Sequence, residues 1–90
     1  MAEILKVDGT RITVEPENGR SFKLKQLQGI VGGYIEIIHL RDGRLMVINE
    51  EGKLKALLLN ETATALARGA IFPDDYVAGD VLVCDDSQID

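Results

Sequence analysis

The chain has 90 residues, 46% of them hydrophobic and 28% charged, which is the composition of one small globular domain. Its formal net charge is −5, and residues 74–90 hold six acids but no Lys or Arg, which disfavours nonspecific nucleic-acid binding through that end. Because no apolar run approaches the roughly 20 residues that span a bilayer, and the N-terminus lacks a secretory layout, we expect a cytoplasmic domain without membrane contact.

The first predicted element is a β-hairpin over residues 3–15. Its turn is placed at Asp8-Gly9, because Asp-Gly between alternating apolar residues favours a two-residue loop with positive φ at both central positions. With such a loop, Leu5 lies opposite Ile12. One face of this hairpin is then mostly apolar and the other mostly polar, as in an ordinary antiparallel pair. The apolar face carries Leu5, Val7, Ile12 and Val14, and the polar face carries Lys6, Arg11, Thr13 and Glu15.

An amphipathic helix is predicted next, over residues 22–31, where apolar side chains recur at helical spacing. Ser21 precedes it and is the expected N-cap. Gly32 or Gly33 is expected to end it in a left-handed conformation. A phosphate-binding loop at these glycines is disfavoured, because such a loop follows a strand and opens a helix, whereas here the helix comes first.

The second hairpin, over residues 33–52, is the strongest pattern in the chain. Two β-branched, apolar runs flank Asp42-Gly43, and a two-residue loop there pairs Ile38 with Val47 and Glu36 with Asn49. Both faces of this hairpin are mostly apolar. We therefore expect it in the middle of a sheet that is covered on two sides.

The C-terminal third gives weaker signals. Residues 53–59 are ambiguous between a strand, a helical turn and an extended segment. Asn60 is the expected N-cap of a second helix over 61–68. Residues 80–84 predict a final buried strand, in which Cys84 is an inert, buried thiol.

These elements predict an α+β fold: an antiparallel-rich sheet of about five strands, made of the two Asp-Gly hairpins and the C-terminal strand, with two short helices. Residues 1–85 form the single domain, and residues 86–90 are expected to be a frayed acidic tail. The tail has two interpretations. It keeps a small domain soluble, or it docks on a basic partner.

No arrangement of residues predicts catalysis, a cofactor or a metal. The one histidine and one cysteine do not form a zinc site of ordinary spacing, and no nucleophile is accompanied by a local catalytic signature. The most notable polar group lies at one end of the central hairpin and comprises Tyr34, Glu36, Asn49, Glu50 and Glu51. These residues mark either a solvated strand end or a cleft that holds a ligand or cation.

Three stretches carry a recognisable pattern: Leu24-Lys-Gln-Leu-Gln-Gly-Ile-Val-Gly-Gly-Tyr-Ile-Glu-Ile-Ile, Leu45-Met-Val-Ile-Asn-Glu-Glu-Gly-Lys-Leu and Gly79-Asp-Val-Leu-Val. Within them, the Val-Gly-Gly-Tyr-Ile-Glu and Asn-Glu-Glu-Gly blocks are fairly specific together. With Asn60 and Ala63, they resemble a family of small uncharacterised bacterial and phage proteins, known as a domain of unknown function. The resemblance covers residues 20–85. It implies a cytoplasmic domain from a phage or mobile-element setting, with no catalytic residue to carry over. The matching polar positions are Tyr34, Glu36, Asn49, Glu50, Glu51 and Asn60.

Two functional hypotheses follow from these patterns. The first is a non-enzymatic binding module, a phage or mobile-element accessory protein that engages a host macromolecule. The alternative is a small-ligand or cation site, with catalysis left open, built on Glu36, Asn49 and Glu50. A homodimer formed by edge-strand pairing is a third, purely structural arrangement.

Overall fold

The computed structural model describes residues 2–89 and contains one sheet of five strands, all antiparallel to their neighbours. The strands are β1 (Ala2–Leu5), β2 (Arg11–Val14), β3 (Ile35–His39), β4 (Arg44–Asn49) and β5 (Val81–Asp85). The helices are α1 (Leu24–Val31), α2 (Glu61–Leu66) and a 3-10 helix (Asp86–Gln88). The strand order is β2-β1-β5-β4-β3. The predicted α+β architecture is confirmed.

The C-terminal strand β5 occupies the centre of the sheet, between the two hairpins. It pairs with β1 on one side and β4 on the other, and residues 81–84 are all buried. A strand paired on both sides and covered on both faces carries a continuous apolar run, which explains this sequence. Burial raises the pKa of the Cys84 thiol to about 11, so this buried thiol is protonated near neutral pH.

Each face of the sheet carries its own hydrophobic core. We call the face covered by α1 the α1 face; its buried residues are Ala2, Phe22, Leu27, Val31, Leu45, Val47, Leu82 and Cys84. The opposite face, which α2 covers, is the α2 face; its buried residues are Leu5, Ile38, Leu40, Met46, Ala63, Ala67, Val77, Val81 and Val83. The central strands contribute alternate residues to the two cores, as the pleat requires.

Both hairpins form at Asp-Gly as predicted, but their predicted register is wrong by one residue. In the central hairpin Ile38 pairs with Met46 instead of Val47. The reason is the loop, which has three residues instead of two. Gly43 has φ of +90°, whereas Asp42 does not have a positive φ, so the mirror-image two-residue turn does not form.

The N-terminal hairpin shows the same difference. Leu5 pairs with Arg11 instead of Ile12, and Gly9 has φ of +92°. In each loop the Asp side chain accepts a hydrogen bond from the backbone N–H two residues later, which holds the Asp in an ordinary conformation. Because side chains alternate between faces, a one-residue change of register means that each side chain shares its face with the other alternate set of side chains on the partner strand.

The helices are close to their predicted positions. α1 begins two residues later than predicted, and its N-cap is Lys23 instead of Ser21, with no side-chain capping hydrogen bond. Gly32, with φ of +83°, ends it as predicted. α2 is capped by Asn60 as predicted but ends at Leu66 instead of residue 68. Within residues 2–89 no helix is long and apolar enough to cross a membrane.

In the ambiguous segment 53–59, residues 53–56 are turns, with Ala56 at φ of +56°, and Leu59 forms an isolated antiparallel bridge with Ala78. Residues 86–89, expected to be frayed, are instead attached to the domain. The backbone N–H of Phe22 donates to the Gln88 carbonyl at 2.6 Å, and Ile89 packs on the α1 face. The division of the chain at residue 85 stays a prediction, and its outermost residues, 1 and 90, lie outside the described part.

Candidate functional site

A groove with a volume of about 910 Å³ opens on the α2 face beside strand β3. One wall is β3 itself, with the end of β4 and the turn 52–54 next to it. The other wall is the loop after α2, formed by residues 69–78. The helix α2 has only six residues and none of them lines the groove, so this part of the sheet is bordered by loops.

The groove has an apolar floor and an apolar rim. Ile38 and Val77 are buried in the floor. Three large side chains on the rim are strongly exposed: Leu54 is 87%, Phe72 78% and Tyr76 43% accessible. Large apolar groups that cluster on a surface mark interaction sites, whereas single exposed ones carry no such meaning.

The charged residues of the groove are mostly acidic. Glu36, Glu50 and Asp75 line it, with Lys53 as the single Lys or Arg among the lining residues. Lys53 forms an ion pair with Asp75 and lies 4.8 Å above the Tyr76 ring. The hydrogen bond between them raises the pKa of Lys53 and lowers that of Asp75.

Glu36 and Glu50 have exposed side chains, and within residues 2–89 neither is in an ion pair. Glu36 is close enough to Lys53 to contribute the smallest of the effects that raise its pKa. Both carboxylates are therefore accessible to a cation brought by a ligand.

Strand β3 is an edge of the sheet, so among residues 2–89 one side of its backbone pairs with no other strand. Residues of antiparallel strands alternate between pairs that exchange hydrogen bonds and pairs that do not. Leu40 N–H donates to the Arg44 carbonyl, and Glu50 N–H donates to the Tyr34 carbonyl, both at 2.9 Å. It follows that the backbone N–H and carbonyl groups of residues 35, 37 and 39 point away from β4, towards the outer edge of the sheet.

The two asparagines of the predicted site serve the fold. Asn60 is fully buried; its Nδ2 donates to the carbonyls of Leu5 and Gly79 at 2.9 Å, and its Oδ1 accepts from Ala63 N–H at 3.0 Å. Asn49 lines the groove, but its amide donates to the Val31 carbonyl at the end of α1 and accepts from a neighbouring backbone N–H.

The predicted pairing of Glu36 with Asn49 is wrong. Glu36 lies opposite Ile48, and Asn49 lies opposite Ile35. Because neighbouring residues of a strand project to opposite faces, Glu36 belongs to the α2 face, and the Asn49 side chain belongs to the α1 face.

Three of the six predicted site residues therefore line the groove: Glu36, Asn49 and Glu50. The others lie elsewhere. Tyr34 is exposed and lines a separate cavity of about 390 Å³, and Glu51 is 3.7 Å from Lys55 in an exposed ion pair. Asn60 is the buried cap of α2. A binding role for these six residues stays a prediction.

A family described as "Domain of unknown function (DUF3846)" matches residues 2–90. The chain belongs to this family. The match includes the N-terminal hairpin and the acidic end, which lie outside the resemblance seen over residues 20–85. Comparison with curated proteins and with solved structures gave no match.

The sequence interpretation missed the residues that form the outer half of the groove, namely Lys53, Leu54, Phe72, Asp75 and Tyr76. One signal was present. The segment 72–76 contains two of the four aromatic residues of the chain. Aromatic side chains in a turn between a helix and a buried strand must either pack back on the sheet or form an exposed surface.

Within residues 2–89 there is no group of three or more His, Cys, Asp or Glu side chains that could hold an ion. His39, at the end of β3, is exposed and lines the groove.

Proposed function

We propose that this member of the family is a non-enzymatic binding module whose groove receives part of a partner protein. The observation that carries the proposal is the exposure of Leu54, Phe72 and Tyr76 around a buried apolar floor. Covering these side chains removes apolar surface from water, which is the main favourable term in protein association.

The use of the polar residues supports binding over catalysis. The Asn49 and Asn60 amides are committed to backbone hydrogen bonds, so they are not available to a reacting group. The remaining polar groups of the groove are exposed carboxylates and one ion pair. An excess of acids makes nucleic acid an unfavourable occupant, because phosphate recognition requires Lys and Arg.

The biological setting comes from the sequence resemblance. On that ground we place the protein in the cytoplasm, as an accessory protein of a phage or mobile element, and its partner among the macromolecules of the host. The acidic C-terminal end is a second surface for a basic partner.

A small-ligand site is the alternative, and the size of the groove favours it. A volume of about 910 Å³ lies within the roughly 300–1,000 Å³ typical of ligand pockets. Glu36 and Glu50 would hold a cationic group of such a ligand. Asn49 would contribute little, because its amide is already bonded.

The test is affinity purification from the natural host, followed by native mass spectrometry of the eluted protein. Two variants are compared with the wild type. Phe72→Asp places a charge on the groove rim, and Leu24→Asp places the same charge on an exposed leucine of α1.

We expect a protein-sized mass addition with the wild type and with Leu24→Asp, and its loss with Phe72→Asp. An addition of metabolite size would favour the small-ligand alternative. Retention of the same partner by all three proteins would show that the groove is not the binding surface, and the proposal would then be wrong.

A further inference from the structure

We infer that the occupant of the groove is an extended, basic segment of the partner that joins the sheet as a sixth strand beside β3. This inference rests on the proposed function and adds to it the conformation and the charge of the bound segment. Adding a strand to a free edge is a recurring way to bind peptides, in which backbone hydrogen bonds give affinity and alternate side chains give specificity.

The backbone of β3 is suited to this binding mode. The N–H and carbonyl groups of residues 35, 37 and 39 point away from β4, so the strand offers three donors and three acceptors along its free side. Ile37 and His39 also line the groove, which places this backbone edge next to the apolar floor.

The side chains of an added strand alternate between the two faces of the sheet. Those on the α2 face lie beside Glu36 and Ile38, which occupy the same face of the neighbouring strand. An apolar side chain beside Ile38 enters the floor of the groove, where Ile71 and Val77 line the far side.

The charge of the partner segment follows from the same placement. A side chain two residues away from the apolar one lies near Glu36, at the end of β3 where Glu50 also lines the groove. Lys or Arg at that position pairs with carboxylates that have no ion pair within residues 2–89. An acidic side chain there would be repelled.

The other edge of the sheet differs in its charge. Strand β2 presents Arg11, which forms an ion pair with Glu3. The charged residues of the neighbouring cavity are balanced, with two lysines and two acids: Lys6, Lys25, Glu17 and Asp80. Lys6 N–H donates to the Thr10 carbonyl, so the alternation directs the Thr13 N–H away from β1. Thr13 therefore provides a matched control on an edge that lacks the excess of acids found in the groove.

The experiment starts from a library of random twelve-residue peptides displayed on phage and selected on immobilised wild-type protein. The strongest binder is synthesised with a fluorescent label, and its dissociation constant is measured by anisotropy. His39→Pro removes one outward N–H from β3, while His39→Ala removes the imidazole but keeps that N–H. Proline is tolerated at such edge positions because no ladder hydrogen bond is lost. Thr13→Pro makes the same change on β2.

We expect the selected peptides to be enriched in Lys and Arg relative to the unselected library. His39→Pro should bind about five- to ten-fold more weakly than His39→Ala, the effect of one backbone hydrogen bond. Thr13→Pro should bind as the wild type does. Glu36→Gln should weaken binding by about three-fold at low salt, as expected of an exposed ion pair, and Glu61→Gln on α2 should not.

Several results would overturn strand addition without affecting the proposed function. One is a peptide that Phe72→Asp no longer binds but that His39→Pro and His39→Ala bind equally well. Another is a partner found by affinity purification together with no selected peptide, because the groove would then recognise a folded surface. A wild-type dimer that His39→Pro converts to a monomer, measured by light scattering, would assign the edge to a second copy of this chain.

Discussion

The two faces of the sheet are covered by helices of different length. On the α1 face an eight-residue helix, the segment around Phe22 and the C-terminal Ile89 pack over the strands. On the α2 face the helix has six residues, and a loop completes the cover. The groove lies on this second face, where loops instead of a longer helix border the sheet.

The same residue types occupy contrasting places on the two faces. Of the two phenylalanines, Phe22 is fully buried on the α1 face, whereas Phe72 is 78% accessible at the groove rim. We therefore expect the first phenylalanine to stabilise the fold and the second to contact the partner that we propose for the groove. The predictions below test this division, beginning with the largest expected effect.

We predict that Phe22→Ala lowers the free energy of unfolding by about 3–5 kcal/mol, because it removes a fully buried aromatic side chain and leaves a cavity. Phe72→Ala should change it by less than about 0.5 kcal/mol, as is usual for exposed positions. Urea denaturation followed by circular dichroism measures both. A large loss of stability in Phe72→Ala would show that the rim is part of the core instead of a binding surface.

The next effect concerns the residue that attaches α2 to the sheet. We predict that Asn60→Ala costs about 3 kcal/mol, because two backbone carbonyls lose a donor and the helix loses its cap. The control is Asn18→Ala, whose exposed side chain also accepts two backbone hydrogen bonds and should cost less than about 1 kcal/mol. Equal losses for the two variants would contradict the structural role of Asn60.

Asn60 also shows how much of the structure local sequence patterns can predict. Asn60 is predicted as a helix cap from local sequence, and its Oδ1 accepts a hydrogen bond from Ala63 N–H, three positions later. Its bonds to Leu5 and Gly79 span 55 and 19 residues, and no local pattern indicates them. The order of the strands was likewise not predicted. It depends on how two hairpins and a distant strand assemble, and the sequence specified only the hairpins and the buried strand.

The register error has a more specific cause. Asp-Gly is compatible both with the two-residue turn and with a three-residue loop in which only Gly has positive φ. The Asp carboxylate decides between them by accepting the N–H of Arg44 in one hairpin and of Thr10 in the other. The composition of the strands did not resolve this choice, because both faces of the central hairpin are apolar and either register buries similar side chains.

Substitutions at two glycines should change the free energy of unfolding by smaller amounts and in opposite directions. Gly29 lies within α1, and a Cβ there would meet no atom within 4 Å, so its backbone does not approach the sheet closely. We predict that Gly29→Ala stabilises the protein by about 0.5–1 kcal/mol through helix propensity. Gly79 has φ of +88°, and a Cβ there would lie 2.8 Å from Leu57 Cδ1. Gly79→Ala should therefore destabilise by about 1–2 kcal/mol.

Thermal and urea unfolding of the two variants measure these opposite signs. Destabilisation by Gly29→Ala would indicate that α1 approaches another element at this position. An unchanged stability in Gly79→Ala would indicate that the loop bordering the groove can adjust its backbone and that this wall is adaptable.

The smallest expected effect on stability comes from the turn aspartates of the two hairpins, which lie in the two halves of the sheet. The Asp42 carboxylate accepts hydrogen bonds from the Arg44 guanidinium at 2.7 and 2.9 Å, and these lower the pKa of Asp42 from its usual value. The pKa of Asp8 is lowered by its hydrogen bonds with Thr10, a neutral residue. A carboxylate whose pKa is depressed in the folded state stabilises the protein above its unfolded pKa, and this contribution disappears as the pH falls through the folded value.

We therefore expect the stability difference between wild type and Asp42→Asn to be constant from neutral pH down to about pH 5 and to shrink as the pH falls below about 4. Asp8→Asn should follow the same pH course. Salt should reduce the effect at Asp42 more, because its main partner is the exposed Arg44 guanidinium, whereas the main partner of Asp8 is the neutral Thr10 and Lys6 contributes less. Urea unfolding at low and high salt compares them. If salt reduced both effects equally, the two turns would be held by the same kind of backbone hydrogen bond, and the Arg44 side chain would add nothing to the turn between β3 and β4.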